Sequence, residues 1–170
     1  MKKLSVILVV LGAVIALSAY AAEENDKEDW EVGFGVTLAS YHFNNGGNHI
    51  QGFNERNLGV TVYLTDVGNI LPIIDEITVS AVPKNSYGDF STYFVAHTDI
   101  INAEYIDVAL SAGIATGYSK ERFQMVRKYG VMPMVGARLT IVSSVEIGII
   151  PFGVLSKKEG VNVITVSYRF

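Results

Sequence analysis

The sequence contains no cysteine, and this absence limits the kinds of exported protein it can be. Without cysteine the chain forms no disulfide, and it lacks the residue that anchors a bacterial lipoprotein to its lipid. A net charge of −4 argues against nucleic acid as a partner. Beyond the amino terminus, no apolar run reaches the roughly 20 residues that a membrane-spanning helix needs. The hydrophobic fraction of 49% must therefore serve another kind of structure.

The amino terminus has the pattern of an export signal. Two lysines precede the apolar run "LSVILVVLGAVIALS", and the small-residue pattern "AYA" follows it. This order matches the charged, apolar and small-residue regions of a secretory signal peptide. We therefore expect a cleaved signal peptide over residues 1–21, an acidic periplasmic tail over 22–30, and one domain over 31–170.

Apolar residues alternate with small or polar residues through most of the remaining chain. The segments "GFGVTLA", "NLGVTVYL", "YIDVALSAGIAT" and "VITVSYRF" all show this period of two. Such alternation is typical of β-strands with one apolar face. The pattern predicts eight strands, over residues 31–43, 57–65, 75–83, 91–98, 105–117, 130–142, 144–151 and 162–170.

The other face of these strands consists mainly of glycine, alanine, serine and threonine. Side chains this small do not cover a water-soluble surface, but they fit the interior of a narrow barrel. The apolar face then meets lipid, where the sheet must close because open edges would leave backbone groups unpaired in hydrocarbon. The expected fold is all-β, an eight-stranded antiparallel transmembrane β-barrel of the bacterial outer membrane. A soluble lipocalin-like barrel is the alternative.

The strand order predicts which connections lie at each end of the barrel. An even strand number places the outer loops at 44–56, 84–90, 118–129 and 152–161. The periplasmic connections are then those near 66–74, 99–104 and 143. The last strand ends on Phe170 after Tyr168, which resembles the signal read by the outer-membrane assembly machinery. Inside the barrel, Asp107 and Arg138 are expected to face each other and pair.

Two residues at the predicted outer rim can together perform acyl transfer. His42 ends the first strand, and Ser86 lies in the second outer loop within "KNSYG". An imidazole that takes the proton of a hydroxyl lets an oxygen attack an ester. The structural alternative is that His42 caps its strand and that Asn85, Ser86 and Gly88 form an ordinary turn.

Several segments resemble the outer-membrane lipid A palmitoyltransferase family. They are "SYHF", "GFNERNLGV", "KNSYGDFSTYFVAHT", "AGIATGY" and "GVMPMVGARLTIVSSVEIGIIPFG", in the family's order and spacing. The resemblance runs from Ser40 to Gly153 and is that of a distant relative. It implies a barrel whose interior holds an acyl chain. It also implies that a phospholipid is the acyl donor and that the acceptor is of the lipid A type. It implies no metal and no other cofactor, and we expect a monomer.

The resemblance also implies roles for individual residues. His42 takes the position of the family's histidine, Ser86 that of its serine, and Asn85 that of the aspartate before the serine. Asparagine can orient an imidazole but cannot stabilise an imidazolium electrostatically, and the analogous change in serine proteases lowers turnover about 10⁴-fold. A catalytically inactive barrel that binds lipid or a surface partner is therefore the alternative function.

Cationic residues and prolines complete the expected site. Arg56, Lys84 and Glu55 are expected to form the substrate-binding part of the site, where Arg56 and Lys84 contact the phosphates of the lipid. Alternatively, Glu55 and Arg56 form an exposed ion pair. The family uses proline, which cannot donate to the strand ladder, to open lateral gates for lipid. Pro133 and Pro151 occupy such positions.

Overall fold

The structure is a computed structural model that describes residues 31–43, 50–67, 71–120, 123–142, 144–150 and 162–170. The expected signal peptide, the acidic tail and Pro151 lie outside these ranges. Within the described part of the chain, no helix has the length and apolar character to cross a membrane.

Eight antiparallel strands close into one barrel, which confirms the predicted all-β architecture. Each strand pairs with the next one in the chain, and the last pairs back with the first. Neighbours joined by short connections favour this up-and-down antiparallel order. The strands are β1 (Glu31–Phe43), β2 (Gly59–Thr65), β3 (Glu76–Val82), β4 (Ser91–Asn102), β5 (Ile106–Ala115), β6 (Met132–Ile141), β7 (Val145–Ile150) and β8 (Asn162–Arg169).

The fourth strand is longer than the sequence pattern predicts. It continues beyond residue 98 to Asn102, so most of the connection expected over 99–104 is strand. The register shifts between Asp99 and Ile101, which marks a bulge opposite β5. The backbone N–H of Asp99 donates to Asp75 Oδ2 at 2.8 Å, which ties this extension to the connection before β3.

The connection between β5 and β6 contains a short helix that the sequence pattern did not predict. This helix, α1, spans Gln124–Tyr129 and ends at Gly130, whose φ of +78° suits glycine. Val126 is buried against Met132 and Met134 of β6. The helix therefore closes over one side of the barrel mouth through a small apolar cluster.

The outer surface of the barrel exposes large apolar side chains, and the interior holds buried polar side chains together with some apolar ones, such as Met134 and Val163. Phe34, Leu38, Val60, Leu110 and Ile114 are large hydrophobic residues exposed on the outer surface. The buried polar residues within the strands are Ser40, His42, Thr61, Glu76, Thr78, Ser91, Thr92, His97, Arg138, Thr140 and Glu146. This is the orientation that the alternation predicts, and it is the reverse of a water-soluble protein.

Arg138 faces the interior as predicted, but its partner is not Asp107. The guanidinium of Arg138 forms a buried ion pair with Glu76 of β3. Asp107 instead lies opposite Thr140 in the pairing of β5 with β6. The actual partners are 62 residues apart in the chain, so no local pattern relates them.

The two ends of the barrel have different connections. We call the end bearing the connections 44–58, 83–90, 116–131 and 151–161 the long-loop end. The opposite end has the connections 66–75, 103–105 and 142–144, and we call it the short-turn end after its two three-residue connections. His42 and Ser86 both belong to the long-loop end.

Candidate functional site at the long-loop end

A bulge in β1 turns Ser40 and His42 into the barrel. Strict alternation from Phe34 and Leu38 would point both residues outward. The register between β1 and β8 shifts between Thr37 and Ala39, so one extra residue is accommodated there. Beyond the shift, Ser40 and His42 face the interior, and His42 is only 2% exposed. The imidazole is thereby placed on the inner side of the rim.

The hydroxyl of Ser86 belongs to a buried polar cluster centred on Asn57. The Asn57 amide lies 2.6 Å from Ser40 Oγ and 3.2 Å from Ser86 Oγ. Its other end faces the carbonyl oxygens of Asn54 at 2.8 Å and Lys84 at 3.2 Å. Carbonyls only accept, so the amide nitrogen belongs on that side, and the amide oxygen accepts from the two hydroxyls. Asn57 therefore fixes Ser86 against β1.

Asn85 organises the second long loop through its side chain. Its Oδ1 accepts from the backbone N–H groups of Tyr87 at 2.8 Å and Asp89 at 3.1 Å. Its Nδ2 donates to Ser91 Oγ at 2.6 Å, and the whole residue is buried. These bonds form the turn that the structural alternative describes. They also hold the neighbouring Ser86 in place.

A chain of aromatic rings covers the mouth of the barrel. The imidazole of His42 stacks on Phe53, with centroids 4.4 Å apart and planes 10° apart. Phe53 contacts the edge of Tyr87, which in turn packs against Tyr118 and Phe123. Burial raises the pKa of Tyr118 well above its ordinary value of 10. We call these rings the aromatic cover; it links β1 to all the described long loops.

Beneath this cover lies a cavity of about 160 Å³ inside the barrel. Ser40, Asn57 and Ser86 line it near the long-loop end, while Arg138 and Glu146 line it nearer the short-turn end. The remaining lining includes apolar residues, such as Val95 and Met134, and polar ones, such as Thr61 and Ser80. The structure thus brings Ser86 together with Ser40 and Asn57 at the cavity. The imidazole of His42 instead stacks on the ring of Phe53.

The cationic residues predicted to bind substrate are neighbours at the same rim. The side-chain amide of Asn54 donates to the Lys84 carbonyl at 3.1 Å, and its Oδ1 accepts from the Arg56 backbone N–H at 3.3 Å. Both Arg56 and Lys84 are exposed. Glu55 lies between them and β1, where its carbonyl accepts from the Ser40 N–H at 2.9 Å. Asn54 therefore joins the backbones of two exposed cationic residues, one from each loop.

Pro133 lies in β6 near the long-loop end, opposite Ile114 of β5. The described pairing between β6 and β7 runs from Ala137–Ile149 to Ile141–Val145, so it ends before Pro133. A lateral gate at this position remains a prediction. Pro151, the other predicted gate residue, lies outside the described residues.

Asn57 and Ser40 belong to the site although the sequence pattern does not point to them. Asn57 lies next to the "FNER" segment, but its importance comes from contacts with residues 17 and 29 positions away. Ser40 was hidden by the bulge, because strict alternation assigns it to the outer face. Among the described residues, no cluster of three histidine, aspartate or glutamate side chains could hold a metal ion. Neither a scan of protein-family models nor a search of curated proteins finds a match to this chain.

Proposed function

We propose that this protein is an outer-membrane acyltransferase that moves a fatty acyl chain from a phospholipid to an acceptor of the lipid A type. The observation that carries the proposal is Ser86, whose hydroxyl lines a cavity inside an inside-out barrel and lies at the same end as the buried His42. The sequence segments that resemble the lipid A palmitoyltransferase family support the same proposed activity.

In this proposal His42 acts as general base. It takes the proton of the attacking hydroxyl as the new ester bond forms at the acyl carbonyl. The bond between that carbonyl and the glycerol oxygen of the phospholipid breaks, and the proton passes to the leaving oxygen. Ser86 is the hydroxyl partner that binds the reacting groups. Asn85 acts by holding the loop that carries Ser86. The exchange of one ester for another needs no nucleotide or oxidant.

The outward apolar face supports a location in the outer membrane. Closed barrels with apolar exteriors satisfy all their backbone hydrogen bonds while meeting lipid. A cleaved signal peptide would deliver the chain, and the outer-membrane assembly machinery would insert it. Arg56 and Lys84 would then lie near the phosphates of the acceptor, as would the exposed Arg127 and Lys128 of α1.

The proposal is tested by mass spectrometry of lipid A from Gram-negative cells with and without this protein. We expect one added acyl chain in cells that express the wild type, and none with His42→Ala. Ile73→Ala, at a 77% exposed residue in the connection before β3, serves as the control and should retain activity. An unchanged lipid A profile in cells where the barrel is correctly inserted would overturn the proposal.

A catalytically inactive, lipid-binding barrel is the second candidate. It is favoured by the engagement of Asn85 and Ser86 in hydrogen bonds that hold the loops together. In that case wild type and His42→Ala would give identical lipid A profiles while both bind phospholipid. Asn85→Asp distinguishes a weakened enzyme from an inert one, because the resemblance implies a carboxylate at this position, which would raise acylation only in the former.

A further inference from the structure

The middle of the barrel holds an imidazole and a hydroxyl in direct contact, apart from His42 and Ser86 at the long-loop end. His97 of β4 lies directly opposite Ser111 of β5 in the antiparallel pairing. Side chains at such positions share one face of the sheet and lie close enough to interact. Both residues line the cavity, and His97 Nδ1 lies 2.8 Å from Ser111 Oγ. The two groups are therefore within the distance at which a base can take a proton from a hydroxyl.

Thr78 determines which nitrogen of His97 carries the proton. His97 Nε2 lies 3.0 Å from Thr78 Oγ1, and the same hydroxyl donates to the backbone carbonyl of Val95 at 3.5 Å. Because that carbonyl only accepts, the Thr78 oxygen is left to accept from the Nε2–H group. A neutral imidazole that is protonated at Nε2 has its lone pair on Nδ1, which then accepts from Ser111. The proton of the Ser111 hydroxyl therefore points at a basic nitrogen.

The surroundings of Ser111 admit a small, uncharged molecule. Ser111 is half-buried, and its neighbour on the other side, Gly136 of β6, also lines the cavity. Glycine has no side chain, so nothing at that position covers the hydroxyl from the β6 side. The cavity volume of about 160 Å³ is smaller than the roughly 300–1,000 Å³ of pockets for drug-sized ligands. Val95 and Met134 add apolar lining, which disfavours an ionised ligand.

We propose that Ser111 is a nucleophile for small, uncharged carboxylic esters, with His97 as its general base and Thr78 as a positioning residue. As Ser111 Oγ bonds to the ester carbonyl carbon, its proton passes to His97 Nδ1. The bond between that carbon and the leaving oxygen breaks, and the imidazolium gives the proton to this oxygen. Water then attacks the acyl-serine through the same proton transfers, which releases a carboxylic acid and restores the hydroxyl. This site uses neither His42 nor Ser86 and does not rest on the proposed transfer to lipid A.

Covalent labelling tests the reactivity of Ser111 against a matched hydroxyl in the same cavity. Ser80 also lines the cavity, but its hydroxyl lies 2.8 Å from the hydroxyl of Thr61 instead of an imidazole. The probe is methanesulfonyl fluoride, a small neutral reagent that sulfonylates an activated serine as fluoride leaves. Mass spectrometry of peptides from the purified full-length barrel, folded in detergent micelles, locates the adduct. We expect an adduct on Ser111 and none on Ser80. No adduct on Ser111, or equal labelling of the two serines, would overturn the proposal.

Variants assign the roles of the two partners of Ser111. His97→Gln should slow the labelling of Ser111 at least about 100-fold, because it removes the general base. Thr78→Val should slow it about tenfold, the effect of losing one hydrogen bond that holds the ring, and Thr78→Ser should keep the wild-type rate. His42→Ala should also label at the wild-type rate. A His97→Gln barrel that labels as fast as the wild type would contradict the proposal. If that variant does not fold, the wild-type comparison of Ser111 with Ser80 still decides it.

Hydrolysis of p-nitrophenyl acetate tests the class of substrate. The wild-type barrel should release p-nitrophenolate at least about tenfold faster than Ser111→Ala, and Ser80→Ala should retain the wild-type rate. Equal rates for the wild type and Ser111→Ala would refute the ester as substrate. Because lipid A is absent from this assay, its outcome is independent of the proposed acyl transfer at the long-loop end.

Discussion

The Asn57 amide and the Ser86 hydroxyl lie 3.2 Å apart in a buried contact between the first and second long loops. The same amide reaches Ser40 on β1, so one side chain joins two loops to the barrel wall. Removing the amide of Asn57 therefore tests how much this one side chain contributes to holding the two loops and the strand together.

Asn57→Ala should destabilise the barrel by about 1–3 kcal/mol, because buried hydroxyl and carbonyl groups lose their partner. Urea unfolding in lipid vesicles measures the change in free energy. Leu58→Ala, at the neighbouring exposed residue, is the matched control and should change stability by no more than about 0.5 kcal/mol. Equal effects of the two substitutions would show that the Asn57 contacts contribute little.

Asn85→Ala and Asn85→Asp should differ in their effect on the second long loop. Alanine leaves the N–H groups of Tyr87 and Asp89 without their acceptor, at a cost of about 1–3 kcal/mol. Aspartate keeps an oxygen that accepts from both N–H groups, and the hydroxyl of Ser91 can rotate to donate to its other oxygen, so we expect a smaller loss. Thermal unfolding of the two variants gives the comparison. A loss for aspartate as large as that for alanine would contradict this account.

Gly117→Ala should be far more damaging than Gly88→Ala, although both glycines have nearly the same positive φ, +81° and +83°. The left-handed conformation costs a non-glycine residue about 1–2 kcal/mol at either position. At Gly117 an added Cβ would also overlap the carbonyl oxygen of Phe90, whereas nothing lies within 4 Å at Gly88. The fraction of folded barrel on unheated gels measures the difference. Similar folded fractions would refute the steric argument.

Leu110→Arg tests whether the outer face meets lipid. Leu110 is 54% exposed and lies in the middle of β5. An arginine at the bilayer midplane of such a barrel costs about 2–4 kcal/mol. Ile73→Arg, at a 77% exposed position in the connection before β3, is the control and should cost close to nothing. Folding into vesicles at increasing urea concentrations compares them. Equal stabilities of the two variants would favour a barrel surrounded by water.

The strands and their facing were predictable because both follow from a local, repeating pattern. Alternation in "NLGVTVYL" and "YIDVALSAGIAT" places strands near their observed positions, and the outward side chains are the apolar ones. The helix α1 escaped prediction because six residues provide barely two turns of pattern. The extension of β4 to Asn102 escaped because polar residues interrupt its alternation at a bulge.

The candidate site was only partly predictable. His42 and Ser86 could be assigned to one end of the barrel from strand order alone. Their surroundings could not, because the β1 bulge reverses the facing of Ser40 and His42. The partners Asn57 and Phe53 come from a loop whose course depends on contacts with other loops.

By itself the sequence determined that the chain forms β-strands with one apolar face, because period-two alternation is a property of neighbouring residues. Tertiary structure alone decided which polar groups meet inside the barrel. Glu76 and Arg169 lie 93 residues apart, and their 2.7 Å contact exists only because closure brings distant strands around one interior. Burial then requires each charge to find an opposite charge, whatever the distance along the chain.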